Sequence, residues 1–577
     1  MPDVFLLLII LLPVILFIAV DEFKESTDFN YSITFITGFA LLIALQVFLA
    51  EYKITLGWWL GASFWVFALV IAVRKSASVL MRGGSKFFQH VFVSVSLVVS
   101  AFAVWLYPYF RFPSIRKGAL FSNGNNDLAI YVVSGDNFLH AGFKEFGRVV
   151  SYQAGALTNF EVAGSSSLVA TVSRFTQQAV WRSTNLSMLL IIALTTIGTY
   201  VLLRRWSMPI LIALPAAVWA MSSSYARLPQ QNYFLSQTIS RLALVSVLIG
   251  IDRIVRAHDR REQDQGVVII AIATWLSLVS YPAGSVSSGA VVIGVLGAYF
   301  LSSRLSKTSE IIPVRKLLLV PLSFILAIPL VLGRWNLIAD NVSLYSKENV
   351  SGWPAPTSSV SSWIGVSPFL TSWISMMTTL VIVAILVFCL SQLRRSSAQE
   401  TYLALFVVLS IAVAHLMLAT RLGSEAYQVW KFLATVQPIA LCGLLVFVVS
   451  SLRQQNLIDG KHLPHALAVC LVGLVGFNTV RSTDTYRSSI QFPSMELEVA
   501  AKNPIVRSPN LLIRLDPYLE TMIAPVILNL RDAFYASETY LGPELPKDTR
   551  CTISHIKNAA SVEVAKGLYV GPIEACD

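Results

Sequence analysis

Charge is what this sequence has least of. Only 13% of its 577 residues are Asp, Glu, Lys or Arg, whereas 55% are hydrophobic and the mean hydropathy is +0.67; soluble domains carry about a quarter charged residues, so a soluble globular fold is excluded. Cysteine is scarce as well, with five in the chain and no pair at zinc-ligand spacing. No nucleophile–base pair, glycine-rich phosphate loop or paired-histidine metal site occurs. Soluble nucleotide-sugar chemistry and ATP-driven transport therefore have no apparatus here, and no cofactor or divalent metal is indicated. The first apolar run lacks a basic leader and a small-residue cleavage site before Asp21, so it is expected to stay as a span rather than act as a cleavable signal.

What the chain has instead is apolar runs. By the rule that about 20 residues cross the hydrocarbon, about fourteen candidates lie near 4–20, 33–50, 57–73, 90–107, 185–203, 207–224, 233–251, 267–283, 285–302, 317–333, 371–391, 402–419, 432–451 and 465–480. The expected fold is mainly α, a polytopic transmembrane helical bundle of about 14 spans with a small exoplasmic α/β C-terminal domain. The formal charge of +11 would suggest nucleic acid in a soluble chain. Here the basic residues sort by loop, which removes nucleic acid as a partner and leaves membrane lipid. Arg74, Lys75, Arg82 and Lys86; Arg204 and Arg205; Arg253, Arg256, Arg260 and Arg261; Arg304, Lys307, Arg315 and Lys316; Arg394 and Arg395; and Arg453 and Lys461 fall in alternate loops. Those loops are expected to be cytoplasmic, with 108–184, 225–232, 334–370, 420–431 and 481–577 facing outward across a plasma (inner) membrane. The same alternation places the acidic loop Asp21 to Asn30 inside. Three regions follow: N-terminal segments 1–89, a core 90–480 with exoplasmic loops 108–184 and 334–370, and an exoplasmic domain 481–577.

Cys389, Cys442 and Cys470 lie in expected spans and read as small apolar packing residues. Cys551 and Cys576 lie in the outward tail, where oxidation is permitted, and are expected to pair. The bridge would close a loop of about 25 residues, worth about 3 kcal/mol in the chain-entropy model. In the same tail, Leu511–Leu515, Phe534–Tyr535 and Leu568–Val570 read as strands and Tyr518–Leu530 as a helix.

The outward loop after the fourth run is too long for a plain connector. Turn residues Ser122 to Asn126 precede apolar groups at near-helical spacing, so a short amphipathic helix is expected to start near Asp127, with Tyr131 on the same face and a stop at Gly142. Asp127 reads either as a cap for that helix or as a functional carboxylate above the membrane surface. A second helical run is expected at Phe175–Trp181, and helices lying on the outer leaflet fit both halves of the loop.

Further on, the seventh run encloses Arg241, because Asp252 marks its cytoplasmic end and a 20-residue span reaches back to about Asn232. Gln237 and Arg241 share a face. Arg241 is either satisfied by carbonyls or lines an outward cavity and meets an anionic ligand. Trp353 in the 334–370 loop suits either sugar stacking or the interface. Lys431, beside Tyr427 and Trp430, is either a snorkelling anchor or a contact for a ligand phosphate.

Asp127 followed by Tyr131, Asp136, Leu139 and Gly142 resembles the first-loop signature of the GT-C superfamily of integral membrane glycosyltransferases. That superfamily includes oligosaccharyltransferases, protein O-mannosyltransferases, lipid A aminoarabinose transferases and actinobacterial arabinosyltransferases. The match covers about twenty residues; here three runs come before the span that leads into the loop, where the superfamily commonly has the loop after its first span, and Asn126 stands beside the acid. The resemblance implies a hexosyl- or pentosyltransferase that moves a sugar from a polyprenyl-phosphate donor to a glycan, lipid or protein acceptor on the exoplasmic side, with inversion. Asp127 would take the acceptor proton, and Arg227, Arg241, Arg421 and Lys431 would hold the departing phosphate. Tyr131, Asp136, Gln237, Trp353 and Tyr427 would line the substrate. A polyprenyl-linked glycan flippase should show internal repeats, of which none is convincing; a glycan polymerase or ligase would not require Asp127.

Overall fold

The computed structural model describes residues 2–24, 29–52, 58–107, 127–140, 163–231, 234–305, 313–346, 399–423, 427–454, 462–486, 496–507, 511–515 and 551–572, with isolated residues between them. The N-terminal helices are α1 (Pro2–Phe23), α2 (Asn30–Glu51) and α3 (Trp58–Leu106). The long connection after α3 holds α4 (Asp127–His140) and α5 (Ala163–Thr176). Then come α6 (Val180–Arg205), α7 (Ile210–Ser222), α8 (Ser224–Gln231), α9 (Leu235–Arg256), α10 (Arg260–Ser280), α11 (Pro282–Leu305), α12 (Val314–Ile325) and α13 (Trp335–Ser346). The remaining helices are α14 (Gln399–Leu422), α15 (Tyr427–Gln454), α16 (His462–Tyr486) and the short α17 (Glu496–Ala500).

This is a multi-pass membrane protein, in which ten of the described helices are long and apolar enough to cross a membrane. Among the described residues ten such helices are counted rather than fourteen, for four separate reasons. The third and fourth runs are counted together in α3, whose two helices meet at a kink at Gly83, inside the loop expected at Arg74–Gln89. The sixth run, α7, has only 13 helical residues. The seventh, α9, carries Arg241, Asp252, Arg253 and Arg256, too much charge for an apolar span by composition. The eleventh, 371–391, lies almost wholly outside the described residues. The expected loop at 334–370 also begins later, because a 3-10 turn at Ile328–Arg334 carries the chain from α12 directly into α13.

The apolar stretch of α6 is entirely buried, which makes it the central post of the bundle. α9 packs beside it where Gly198 leaves room for Val245. α9 and α10 cross at Gly250 and Gly266: a Cβ on either would lie 3.0 or 2.8 Å from the other's carbonyl oxygen. Lipid offers no hydrophobic drive between helices, so such close approach through small residues is what holds them together.

The two ends of the bundle are marked by ion pairs. At one end Glu22 accepts from Arg204 Nε at 2.7 Å and from Tyr200 Oη at 2.5 Å, and Asp252 pairs with Arg205 at 2.6 Å and Arg256 at 2.9 Å. Glu22, in the last turn of α1, thus sits with the basic end of α6, where Arg204 neutralises it. Asp21 beside it accepts instead from Ser32 of α2. At the other end of α2, Glu51 pairs with Arg334 at 3.5 Å.

The helices between α3 and α6 are not surface helices. Leu128, Ala129, Tyr131, Val132 and Val133 of α4 and Ser165 to Ala170 of α5 are buried, with α4 packed on α5 and α6. Small residues allow this, since a Cβ at Gly164 would fall 2.0 Å from Ser280 Oγ. The run expected to be helical at Phe175–Trp181 is instead the joint between α5 and α6. Gln177 takes a left-handed φ of 55° there.

The C-terminal region forms a five-stranded mixed sheet ordered β2-β1-β3-β5-β4. Its strands are β1 (Leu512–Arg514), β2 (Phe534–Tyr535), β3 (Thr552–Ser554), β4 (Val562–Ala565) and β5 (Leu568–Gly571). β1 runs parallel to β2 and β3, while β5 pairs antiparallel with β3 and β4. Most of the helix expected at Tyr518–Leu530 lies outside the described residues. Arg182 at the start of α6 reaches both carboxylate oxygens of Glu498 at 2.8 and 2.7 Å, which ties α17 to the bundle. Cys551 is disulfide-bonded; its expected partner, Cys576, lies outside the described residues.

Candidate functional site

α4 begins at Asp127, as the turn-to-helix switch in the sequence predicts. Four residues on, the buried Tyr131 hydroxyl meets Ser236 Oγ of α9 at 2.9 Å, and Ser165 of α5 donates to the same oxygen at 2.9 Å. Ser236 is therefore the junction of three helices. The far end of α4 is held by Arg174 of α5, whose Nη2 donates to Leu139 O at 3.0 Å and, more weakly, to Phe138 O at 3.5 Å. A cation on the last carbonyls of a helix also suits its dipole. Burial lowers the Arg174 pKa from its ordinary value.

Next along α9, Gln237 Nε2 donates to the backbone carbonyl of Lys431 at 3.1 Å. Lys431 lies in the first turn of α15 with its side chain 9% exposed. Its ammonium stands over the rings of Tyr427 at 4.6 Å, Tyr281 at 5.4 Å and Phe234 at 5.4 Å, and Tyr427 stacks on Trp430 with ring centres 5.6 Å apart. Aromatic faces hold a desolvated cation by their quadrupoles. Tyr281 closes α10 and Pro282 opens α11, so the tight hairpin between them delivers one wall of the cage.

Beside the cage lies a cavity of about 340 Å³ into which Arg421, Lys431, Gln428, Ser287 and Tyr281 all face. Val286 and Ala290 of α11, Ala414 and Leu418 of α14, and Phe432 of α15 form its apolar sides. Two cations in the lining of a largely apolar cavity between helices suit an amphiphile with an anionic head. Gln428, Tyr281 and Ser287 are residues that the sequence reading did not single out.

The other expected site residues are placed differently. Arg241 is 1% exposed and donates to three backbone carbonyls, Ala434 at 2.6 Å, Ala226 at 2.7 Å and Tyr225 at 3.1 Å. It is satisfied by carbonyls and is not among the residues that line the cavity. Arg227 is also 1% exposed, with Nη1 3.4 Å from Asn478 O, and does not line the cavity. Gln237, 2% exposed, is committed to Lys431 and lines nothing. Tyr131 is likewise enclosed, and Asp136 is half-buried on α4. Trp353 lies outside the described residues. Of the four basic candidates, the structure brings together Arg421 and Lys431. Among the described residues no group of three His, Cys, Asp or Glu could hold a metal ion.

No protein-family model matches the chain, and no curated protein matches it in sequence. Solved structures resemble it in fold. The apo oligosaccharyltransferase of Archaeoglobus fulgidus aligns at 13% identity and a TM-score of 0.47 over 75% of this chain and 64% of that one. The Archaeoglobus fulgidus oligosaccharyltransferase AglB, in complex with an inhibitory peptide and a dolichol-phosphate, aligns at 12% identity and 0.47, over 77% of this chain and 64% of that one. ArnT from Cupriavidus metallidurans bound to undecaprenyl phosphate aligns at 11% identity and 0.43, over 77% of this chain and 86% of that one. The chain thus spans about 64% of the length of the archaeal enzymes that it matches.

Proposed function

We propose that the protein is a membrane glycosyltransferase that moves a sugar from a polyprenyl-phosphate donor to an acceptor hydroxyl on the exoplasmic face. The observation that carries this reading is the shared cavity of Arg421 and Lys431, set among apolar residues of α11, α14 and α15. A phosphate monoester released from a sugar is a charged leaving group, and two cations in the lining of a largely apolar cavity stabilise it while the isoprenoid chain stays in hydrocarbon. Lys431, held among aromatic rings, supplies a fixed point charge. Arg421, exposed at the end of α14, supplies a planar fork.

Asp127 takes the proton of the acceptor hydroxyl in this reading. It opens α4, and α4 is tied through Tyr131 and Ser236 to the same helix that grips Lys431 through Gln237. A carboxylate at a helix N-terminus is a weakened base, because the helix dipole favours its charged form. That weakness is tolerable when the sugar becomes cation-like before the proton moves. A single displacement inverts the anomeric centre. The enclosed aromatic and hydroxyl surroundings of Tyr281 and Ser287 suit a sugar, and the acceptor is a glycan, lipid or protein.

The test uses the full chain in proteoliposomes with a labelled polyprenyl-phosphate sugar and a mixed acceptor pool. Loss of transfer on Asp127→Asn at normal protein level is the expected result. Undiminished transfer by that variant discards the mechanism, and movement of donor across the bilayer without a new glycosidic bond replaces it with transport.

A further inference from the structure

Two helices near the cavity carry an internal proline, Pro229 in α8 and Pro438 in α15. Proline has no N–H, so each removes the bond that would reach the carbonyl four residues back. Those carbonyls belong to Tyr225 and Ala434. In hydrocarbon a carbonyl deprived of its donor must find another, since water is not at hand.

Arg241 supplies both. Its Nη2 donates to Tyr225 O at 3.1 Å and its Nε to Ala434 O at 2.6 Å, while Nη1 adds Ala226 O at 2.7 Å. One guanidinium on α9 therefore replaces the two backbone bonds that two prolines in two other helices delete. A planar fork with donors on several edges can do this, whereas a point-charge ammonium cannot span both helices. One turn earlier on α9, Gln237 takes the carbonyl of Lys431, so consecutive turns of α9 hold consecutive turns of α15.

We infer that Arg241 is a positioning residue that locks the proline bends of α8 and α15, and through the second bend sets Lys431 and Gln428 at the cavity. Lys431 lies seven residues before Pro438, two helical turns from the bend. A change of bend angle there swings the first turn of α15, with its ammonium, relative to Arg421 on α14. The clamp is independent of what the cavity binds; the consequence for ligand rests on the function proposed above.

The experiment is a cycle on the full-length purified protein, with thermal unfolding and affinity for farnesyl phosphate as separate readouts. Arg241→Met alone should lower the unfolding midpoint and weaken farnesyl phosphate roughly tenfold, because two carbonyls lose their donors and the bend relaxes. Adding Pro229→Ala and Pro438→Ala should restore the midpoint, since the new alanine N–H groups bond Tyr225 and Ala434, yet leave affinity low because α15 is straight. Arg241→Lys should fall between wild type and Arg241→Met in both. Equal destabilisation by Arg241→Met with and without the prolines overturns the clamp. Full affinity in the triple variant overturns its positioning role. Should Arg241→Met alone not accumulate, the triple variant decides: a folded protein supports the clamp and an unfolded one refutes it. Wild type that does not bind farnesyl phosphate removes the proposed ligand, while the thermal cycle still judges the clamp.

Discussion

Tyr131 and Ser236 are 105 residues apart in the chain and 2.9 Å apart in space. Through that contact the helix that Asp127 opens is joined to α9, and the next residue of α9, Gln237, holds the backbone of Lys431. A carboxylate-bearing helix and a cation-bearing helix thus share one intermediary.

Removing the Tyr131 hydroxyl tests that connection. Tyr131→Phe should cost about 1 kcal/mol, the usual net worth of one buried hydrogen bond, and Ser236→Ala should cost more, because it also strands Ser165. Thermal unfolding of the two single variants and the pair should show strongly non-additive losses.

The cavity cations should be separable from the clamp. Arg421→Ala and Lys431→Ala are each expected to weaken farnesyl phosphate by roughly tenfold to a hundredfold, the worth of a charge-assisted contact. Arg421→Ala should leave thermal stability unchanged, since the side chain is exposed. Isothermal titration at two salt concentrations measures both effects; an unchanged affinity in both variants removes the cavity as the anion site.

Asp127→Asn keeps size and capping ability but removes the base. Transfer should fall by between about 100-fold and 10,000-fold, the range for a lost general base, with expression and unfolding midpoint near wild type. Asp127→Glu should recover part of the loss.

At the opposite end of the bundle, Asp252 is 1% exposed between Arg205 and Arg256. Asp252→Asn leaves two arginines facing each other without a counter-charge and should cost about 3 kcal/mol. The double replacement with Arg205→Met should cost less than the sum, which a double-mutant cycle would detect.

Cys551 is disulfide-bonded, and Cys551→Ser is expected to cost about 3 kcal/mol in the tail unit. Mass measurement of alkylated protein with and without reductant, followed by peptide mapping, would show whether Cys576 is the partner. Two alkylated thiols at Cys551 and Cys576 without reductant would refute that pairing.

Much of the bundle was legible in the chain because hydropathy over some 20 residues is a local property. The start of α4 at Asp127 was legible too, since turn residues followed by helical periodicity need no tertiary context. The break between the third and fourth runs was legible as well: α3 is two helices that meet at a kink at Gly83, within Arg74–Gln89, and glycine is the poorest helix former there. α4 and the run at Phe175–Trp181 were expected as helices on the outer leaflet, because amphipathic segments fit an interface. The fold buries α4 against α5, a helix that the sequence did not announce and whose Ser165 is satisfied by Ser236.

What the sequence by itself determined is the class of molecule, a chain too apolar for water whose sparse charges mark helix ends and whose first long loop holds one conspicuous acid. What only tertiary structure decided is the role of each buried cation. Arg241 and Lys431 look alike in sequence, each a positive charge near the outer end of a span. Arg241 meets carbonyls that prolines in two other helices have freed, and Lys431 meets aromatic rings beside an open cavity. The partner opposite a charge is set by how helices pack, and that packing joins residues roughly two hundred positions apart.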